Sequence, residues 1–164
     1  MADALAARLA ILEDREAIRE LIARYGPLAD TGDAAGVAAL WSDDGAYAVG
    51  GMGEARGSAE IGALIDGAVH QGLMAAGCAH VLSTPVIDLD GDRATARCYS
   101  IVFRHQDGEW AAVRVSANRW ALERGAGGWR VTRRENELLD GGAAARALLL
   151  NPPTAPHPLP TARQ

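Results

Sequence analysis

Three side chains stand out for the proton chemistry that their types permit: Asp30, His80 and Tyr25. Asp30 falls at the C-terminal end of a long helical pattern, where the helix macrodipole disfavours a carboxylate by a few tenths to about 1 kcal/mol. A residue that breaks a local rule is a candidate for function, but Asp30 with Thr31 and Asp33 also reads as a polar turn leading into the next helix. His80 lies in the apolar run Cys78-Ala79-His80-Val81-Leu82, a setting that suits either a ligand-facing base or a satisfied core imidazole. Tyr25 precedes Asp30 by five residues, an offset of about 140° on an ideal helix, so periodicity alone does not bring the two together. A bend at Pro27 would change that angle; without one, Tyr25 reads as an amphipathic core aromatic.

The other candidates are weaker. His70 lies near a helix end, His105 beside a hairpin turn and His157 in the C-terminal segment, and no pair of histidines has metal-ligand spacing. Cys78 and Cys98 fit neither a metal pattern nor a disulfide framework and read as small buried thiols. No metal site is therefore expected. All sixteen basic residues are Arg, and the absence of Lys excludes Schiff-base and P-loop chemistry. A net charge of -5 argues against a nucleic-acid partner, although Arg130, Arg133 and Arg134 form a local set of candidate anion contacts.

The elements that must position these residues follow from hydrophobic spacing. Leu9, Leu12, Ile18, Leu21, Ile22 and Tyr25 recur largely at three- and four-residue steps, which predicts a helix from about residue 5 to 30, loosened at Gly26-Pro27. A short second helix is predicted from an Asp33 N-cap through Val37, Leu40 and Trp41, then a strand over 46–49 and a glycine loop over 50–53. Ser58 is placed to cap a third helix carrying Ile61, Leu64, Ile65 and Val69 and ending near Gly72. Beyond it the period changes to two, with strands predicted over 79–89, 93–105, 109–123 and 129–138 and a last short helix over 142–150.

Short turns such as Asp90-Gly91-Asp92 and Gln106-Asp107-Gly108 join antiparallel neighbours. The expected fold is therefore an α+β roll: three N-terminal helices packed on a curved antiparallel sheet, with a small-ligand cavity between them. Residues 1–150 form one expected domain, and 151–164 hold most of the Pro and read as a flexible tail. Only 5% of the chain is aromatic, so the core is closed largely by Leu, Val, Ile and Ala. No apolar run approaches the roughly 20 residues that span a bilayer, and the N-terminus has no signal-like pattern. A cytoplasmic protein without membrane partners is expected.

The stretch from Glu16 to Tyr25, Asp30-Thr31-Gly32-Asp33, Leu40-Trp41-Ser42-Asp43-Asp44-Gly45, and the pair Trp120-Ala121-Leu122-Glu123-Arg124 and Gly128-Trp129-Arg130-Val131 together resemble the SnoaL-like family of the nuclear transport factor 2-like superfamily. The resemblance covers roughly residues 10 to 138 and implies the family's cone-shaped α+β roll. It is nearest to the branch that holds bile acid 7α-dehydratase and hexachlorocyclohexane dehydrochlorinase, with scytalone dehydratase more distant. In those lyases an Asp ending the first helix pairs with a His on the first long strand; Asp30 and His80 fall on these positions. Tyr25 matches a catalytic Tyr, Arg133 an active-site Arg, and Val102 departs from a branch position that holds a catalytic Asp. Trp41, Tyr47, Val102, Asn118 and Trp120 are the expected substrate contacts.

The resemblance thus implies a cofactor-independent lyase acting on a small hydrophobic, cyclic substrate. His80 is the expected base, Asp30 orients it, Tyr25 is the acid or oxyanion donor, and Arg133 holds an anion. The alternatives are an isomerase or polyketide-cyclase-like enzyme using the same proton abstraction, and a non-catalytic ligand-binding module. By analogy with the superfamily, a homodimer is expected.

Overall fold

The computed structural model describes residues 2–150; the expected Pro-rich tail, 151–164, lies outside the described residues. The apolar stripe of the first segment forms α1 (Ala2–Asp30), burying Ile18, Ile22, Tyr25, Gly26 and Ala29. Pro27 does not end it. The Thr31 N–H and hydroxyl both donate to the Pro27 carbonyl, at 3.0 and 2.7 Å, and close the last turn. Asp33 caps α2 (Ala34–Ala38) as predicted, its carboxylate accepting the Gly36 N–H at 2.7 Å.

Several boundaries differ from the periodicity. Trp41 opens β1 (Trp41–Val49) instead of closing a helix, and the glycine segment after it is the turn of a hairpin with β2 (Gly53–Arg56). The single third helix is two, α3 (Ser58–Asp66) and α4 (Ala68–Ala76), because Gly67 takes an extended conformation with ψ 148°. Ser58 is the first residue of α3 and not its cap, a position that Gly57 occupies without a side-chain bond. The strand expected over 79–89 is also two, β3 (Cys78–Leu82) and β4 (Val86–Asp90), parted by Ser83-Thr84-Pro85, since proline has no N–H to give a ladder. β5 (Arg93–Gln106), β6 (Glu109–Gly125), β7 (Gly128–Leu138) and α5 (Ala143–Leu149) follow close to expectation.

The sheet order is β2-β1-β7-β6-β5-β3, and β4 also pairs with β5. β5, β6 and β7 form the predicted antiparallel meander, but β1 joins β7 in parallel, so the sheet is mixed. Turn lengths specify neighbours in a meander and carry no information about the partner of a strand far upstream. Two bulges interrupt the long strands: Val113 has no partner opposite Val102 and Phe103, and Thr132 has none opposite Ala121 and Leu122. Each bends its strand and reverses the phase of the residues beyond it.

The result is an α+β roll with α1 to α4 over one face of a curved sheet and α5 on the other, where Ala145 and Leu148 pack on Ala117. The main core joins Ile18, Ile22 and Tyr25 of α1 to Trp41, Trp120, Leu122 and Val131. No helix among the described residues is long and apolar enough to cross a membrane.

Candidate active site

α1 meets β3 at Gly26. A Cβ there would strike the carbonyl oxygen of His80, so glycine permits a helix-to-strand approach that any other residue would obstruct. Asp30, about one turn further on, is thereby set over His80. Its Oδ1 accepts the His80 Nδ1–H at 2.6 Å and its Oδ2 accepts the His80 backbone N–H at 2.9 Å, while the Cys78 thiol donates to Oδ1 at 3.5 Å. These donors offset the unfavourable helix end.

A carboxylate only accepts, so Nδ1 carries the proton and Nε2 the lone pair. Burial holds the His80 imidazole below its ordinary value; the hydrogen bond and charge of Asp30 oppose this, and His70 and Arg134 reinforce it. The ring is an uncharged base at neutral pH. Burial pushes the Cys78 thiol up to about 11, with Asp30 adding to the rise, so Cys78 stays a donor. Asp30, Cys78 and His80 bring their donor atoms within 4.8 Å of one another, a convergence that no spacing indicated. Here hydrogen bonds join the three, the His80 Nδ1–H and the Cys78 thiol both donating to Asp30.

His80 faces a cavity of about 670 Å³ between the helices and the sheet. Tyr25, Tyr47 and Val102 line it. Trp41, Trp120 and Asn118 do not: they lie fully buried behind the wall. The Trp41 and Trp120 rings stand 6.1 and 6.3 Å from the Tyr25 ring, and Asn118 Oδ1 accepts from a buried guanidinium. Tyr25 stands edge-on to His80 at 6.3 Å. Burial pushes the Tyr47 phenol well up; the Arg134 guanidinium opposes this and the Tyr25 phenol adds to it.

Arg133 is the principal correction. It turns away from the cavity and pairs with Glu54 at 3.0 Å and Glu135 at 3.5 Å. Its neighbour Arg134 enters instead, only 2% exposed, with its Cζ 4.2 Å from the Tyr25 and Trp120 rings and 4.5 Å from the Tyr47 ring. The bulge at Thr132 puts Val131 and Arg134 on one face, so counting from Trp129 lands one residue short.

His70 and Arg114 also line the cavity. The break at Gly67 starts α4 just before His70, whose Nε2–H donates to the Ala29 carbonyl at 2.7 Å and whose ring lies 5.3 Å from that of His80. A helix drawn unbroken to Gly72 gave no reason to place it here. Arg114 was legible in a different way. Arg114, Ser116 and Asn118 recur at every second residue of β6, the mark of one polar sheet face, and that face turns inward.

Residues 10–135 match the SnoaL-like domain family. No curated protein matches the chain. Among solved structures, the chain is similar to an NTF2-like protein with a cystatin-like fold from Novosphingobium aromaticivorans, at 61% identity over 90% of this chain and 96% of that one, TM-score 0.88. A protein of unknown function from Mycobacterium tuberculosis (24% identity, 87% and 92% covered, TM-score 0.68) and ActVI-ORFA from Streptomyces coelicolor (22%, 76% and 96%, 0.66) share the fold. With the roll and the matched span agreeing, the chain belongs to the SnoaL-like family of the NTF2-like superfamily.

Proposed function

We propose that this cavity abstracts a carbon-bound proton, as a cofactor-independent lyase of the dehydratase or dehydrohalogenase type. The observation that carries the reading is the 2.6 Å bond from His80 Nδ1 to Asp30 at the wall of the cavity. His80 Nε2 takes the proton, and the C–H electron pair becomes a C=C bond as the group on the adjacent carbon departs. A hydroxyl leaves as water with the Tyr25 proton, and a halide leaves as the free anion. Solvent then removes the proton from His80 and restores Tyr25. The test is alkene formation from hydroxylated and halogenated cyclic compounds by the wild type and His80→Ala. Equal turnover by the two proteins removes His80 as the base.

One observation favours the isomerase alternative: a second imidazole, His70, stands 5.3 Å from His80 along the same wall, and with its Nε2–H given to the Ala29 carbonyl its Nδ1 is left to accept a proton and pass it on. Substrate recovered with shifted unsaturation and no released water or halide would select that reading. The partner we propose is a second copy of the chain, seated on the sheet face opposite His80, where Val81, Val86, Tyr99 and Val115 are exposed. Light scattering on Tyr99→Arg should report a monomer if this face pairs.

A further inference from the structure

The cavity lining also holds two guanidiniums, Arg114 and Arg134, that pair with no carboxylate among the described residues. Arg134 is 2% exposed, yet its guanidinium bonds only to a neutral acceptor: Nε and Nη2 donate to Asn118 Oδ1 at 3.0 and 2.9 Å. Its Nη1 makes no hydrogen bond among the described residues. Arg114 is similar, with Nη2 donating to the Gly50 carbonyl and to Asn136 Oδ1, both at 2.8 Å. Asn136 Nδ2 donates to Asn118 Oδ1 at 3.1 Å, so one amide chain links the two cations. Neither forms an ion pair among the described residues, whereas Arg133 and Arg56 on the adjacent surface both do.

Burying a cation without a carboxylate is costly, and three aromatic faces and an amide offset only part of that cost. Such an arrangement favours a ligand that brings the negative charge. The carboxylates lining the cavity sit at its outer side and are engaged elsewhere: Glu54 pairs with Arg56 and Arg133, and Glu60 accepts the Arg56 N–H. Their charge would repel a dianion such as a phosphate monoester more than a monoanion. Tyr47 lies in the field of both guanidiniums, which marks where their influence overlaps.

We infer that the ligand of this cavity is an apolar molecule bearing a carboxylate, held by Arg114 and Arg134 with its hydrocarbon part directed toward His80. The inference rests on the proposed site and deepens it: the substrate is an amphipathic acid, not a purely hydrophobic molecule. The Nε–Nη2 edge of Arg134 is taken by Asn118, so a carboxylate would meet its Nη1 and the donors of Arg114 other than Nη2.

The test compares 2-naphthoate with its neutral isostere 2-naphthamide by calorimetry on the full chain. The acid should bind about tenfold or more tightly than the amide, as charge-assisted bonds imply. Arg114→Gln and Arg134→Met should each erase most of that preference and leave amide affinity unchanged. Because Arg134 is buried and its loss could unfold the chain, Arg114→Gln, at a more peripheral residue, keeps the proposal falsifiable. Equal affinity for the two probes, failure of the acid to bind at millimolar concentration, or a preference that survives Arg114→Gln overturns it. Tighter binding of 2-naphthyl phosphate than of naphthoate overturns the choice of a carboxylate. His80→Ala should keep the acid preference, so equal turnover by wild type and His80→Ala sinks the catalytic reading alone, and loss of the preference with intact turnover sinks this one alone.

Discussion

In one group at the cavity a carboxylate takes bonds from an imidazole, a backbone amide and a thiol, and in another two guanidiniums rest on amides, a carbonyl and aromatic rings. The first group is satisfied by hydrogen bonds: Asp30 accepts from three donors, and His80 stays uncharged because burial outweighs the aspartate's influence. The second is not balanced by any ion pair. A site of the first kind moves a proton without itself needing a ligand's charge; one of the second kind gains most when the ligand supplies it. The difference separates catalysis from binding; because Arg134 also acts on His80, Arg114 is the residue that probes the second group by itself.

The largest expected effect is on the dyad. His80→Ala and Asp30→Asn should each lower kcat/KM for proton abstraction by about 10²- to 10⁴-fold, the usual weight of a positioned base. Release of deuterium from a labelled substrate measures this, and a change below threefold in His80→Ala breaks the assignment. Next comes the support beneath the dyad. Gly26→Ala forces a methyl against the His80 carbonyl and should destabilise the fold by roughly 1–3 kcal/mol, while Gly72→Ala, in open helix space, should raise stability by up to about 1 kcal/mol. Thermal melts of the two variants moving in the same direction would contradict the close approach of α1 and β3.

Acid titration sharpens the comparison further. Because only neutral His80 accepts a proton, kcat/KM should fall on the acid side with a midpoint below the ordinary histidine value of about 6.5. Asp30→Asn removes a raising influence and Arg134→Met a lowering one, so the midpoint should move down in the first and up in the second. The sign carries over to stability. With the folded value below the unfolded one, the unfolded chain binds more protons, so stability is lost as pH falls from about 6.5 toward the folded value and His80 contributes no slope above it. His80→Gln should flatten that part of a stability-versus-pH curve. The smallest effect belongs to Arg133→Met. Its exposed pairs with Glu54 and Glu135 should be worth at most about 1 kcal/mol, and acid binding should not change. If Arg133→Met and Arg134→Met behave alike, the bulge does not separate their roles.

Much of the architecture was legible along the chain. Three-and-four spacing located α1, the Asp33 cap located α2, and period-two runs with short turns located the meander. What the spacing misplaced has local causes. Gly67 and the Ser83-Thr84-Pro85 segment divide elements whose apolar pattern runs straight through them, because periodicity records which faces are apolar and not where the backbone changes direction. The same limit hid His70, which reaches His80 only because a new helix starts after Gly67.

By itself the sequence determined the kinds of chemistry open to this protein and singled out Asp30 and His80 as candidates for it. With no Lys present, a carboxylate at a helix end and a histidine in an apolar strand, the acid-base repertoire was restricted before any fold was known. Tertiary structure decided what those residues meet. A single unpaired residue at Thr132 chose Arg134 over Arg133, and the inward turn of the polar face of β6 gave the cavity a second guanidinium. The physical reason is phase: side chains alternate strictly along a strand, so one bulged residue exchanges inside for outside in everything beyond it, and only the paired sheet records where that exchange occurs.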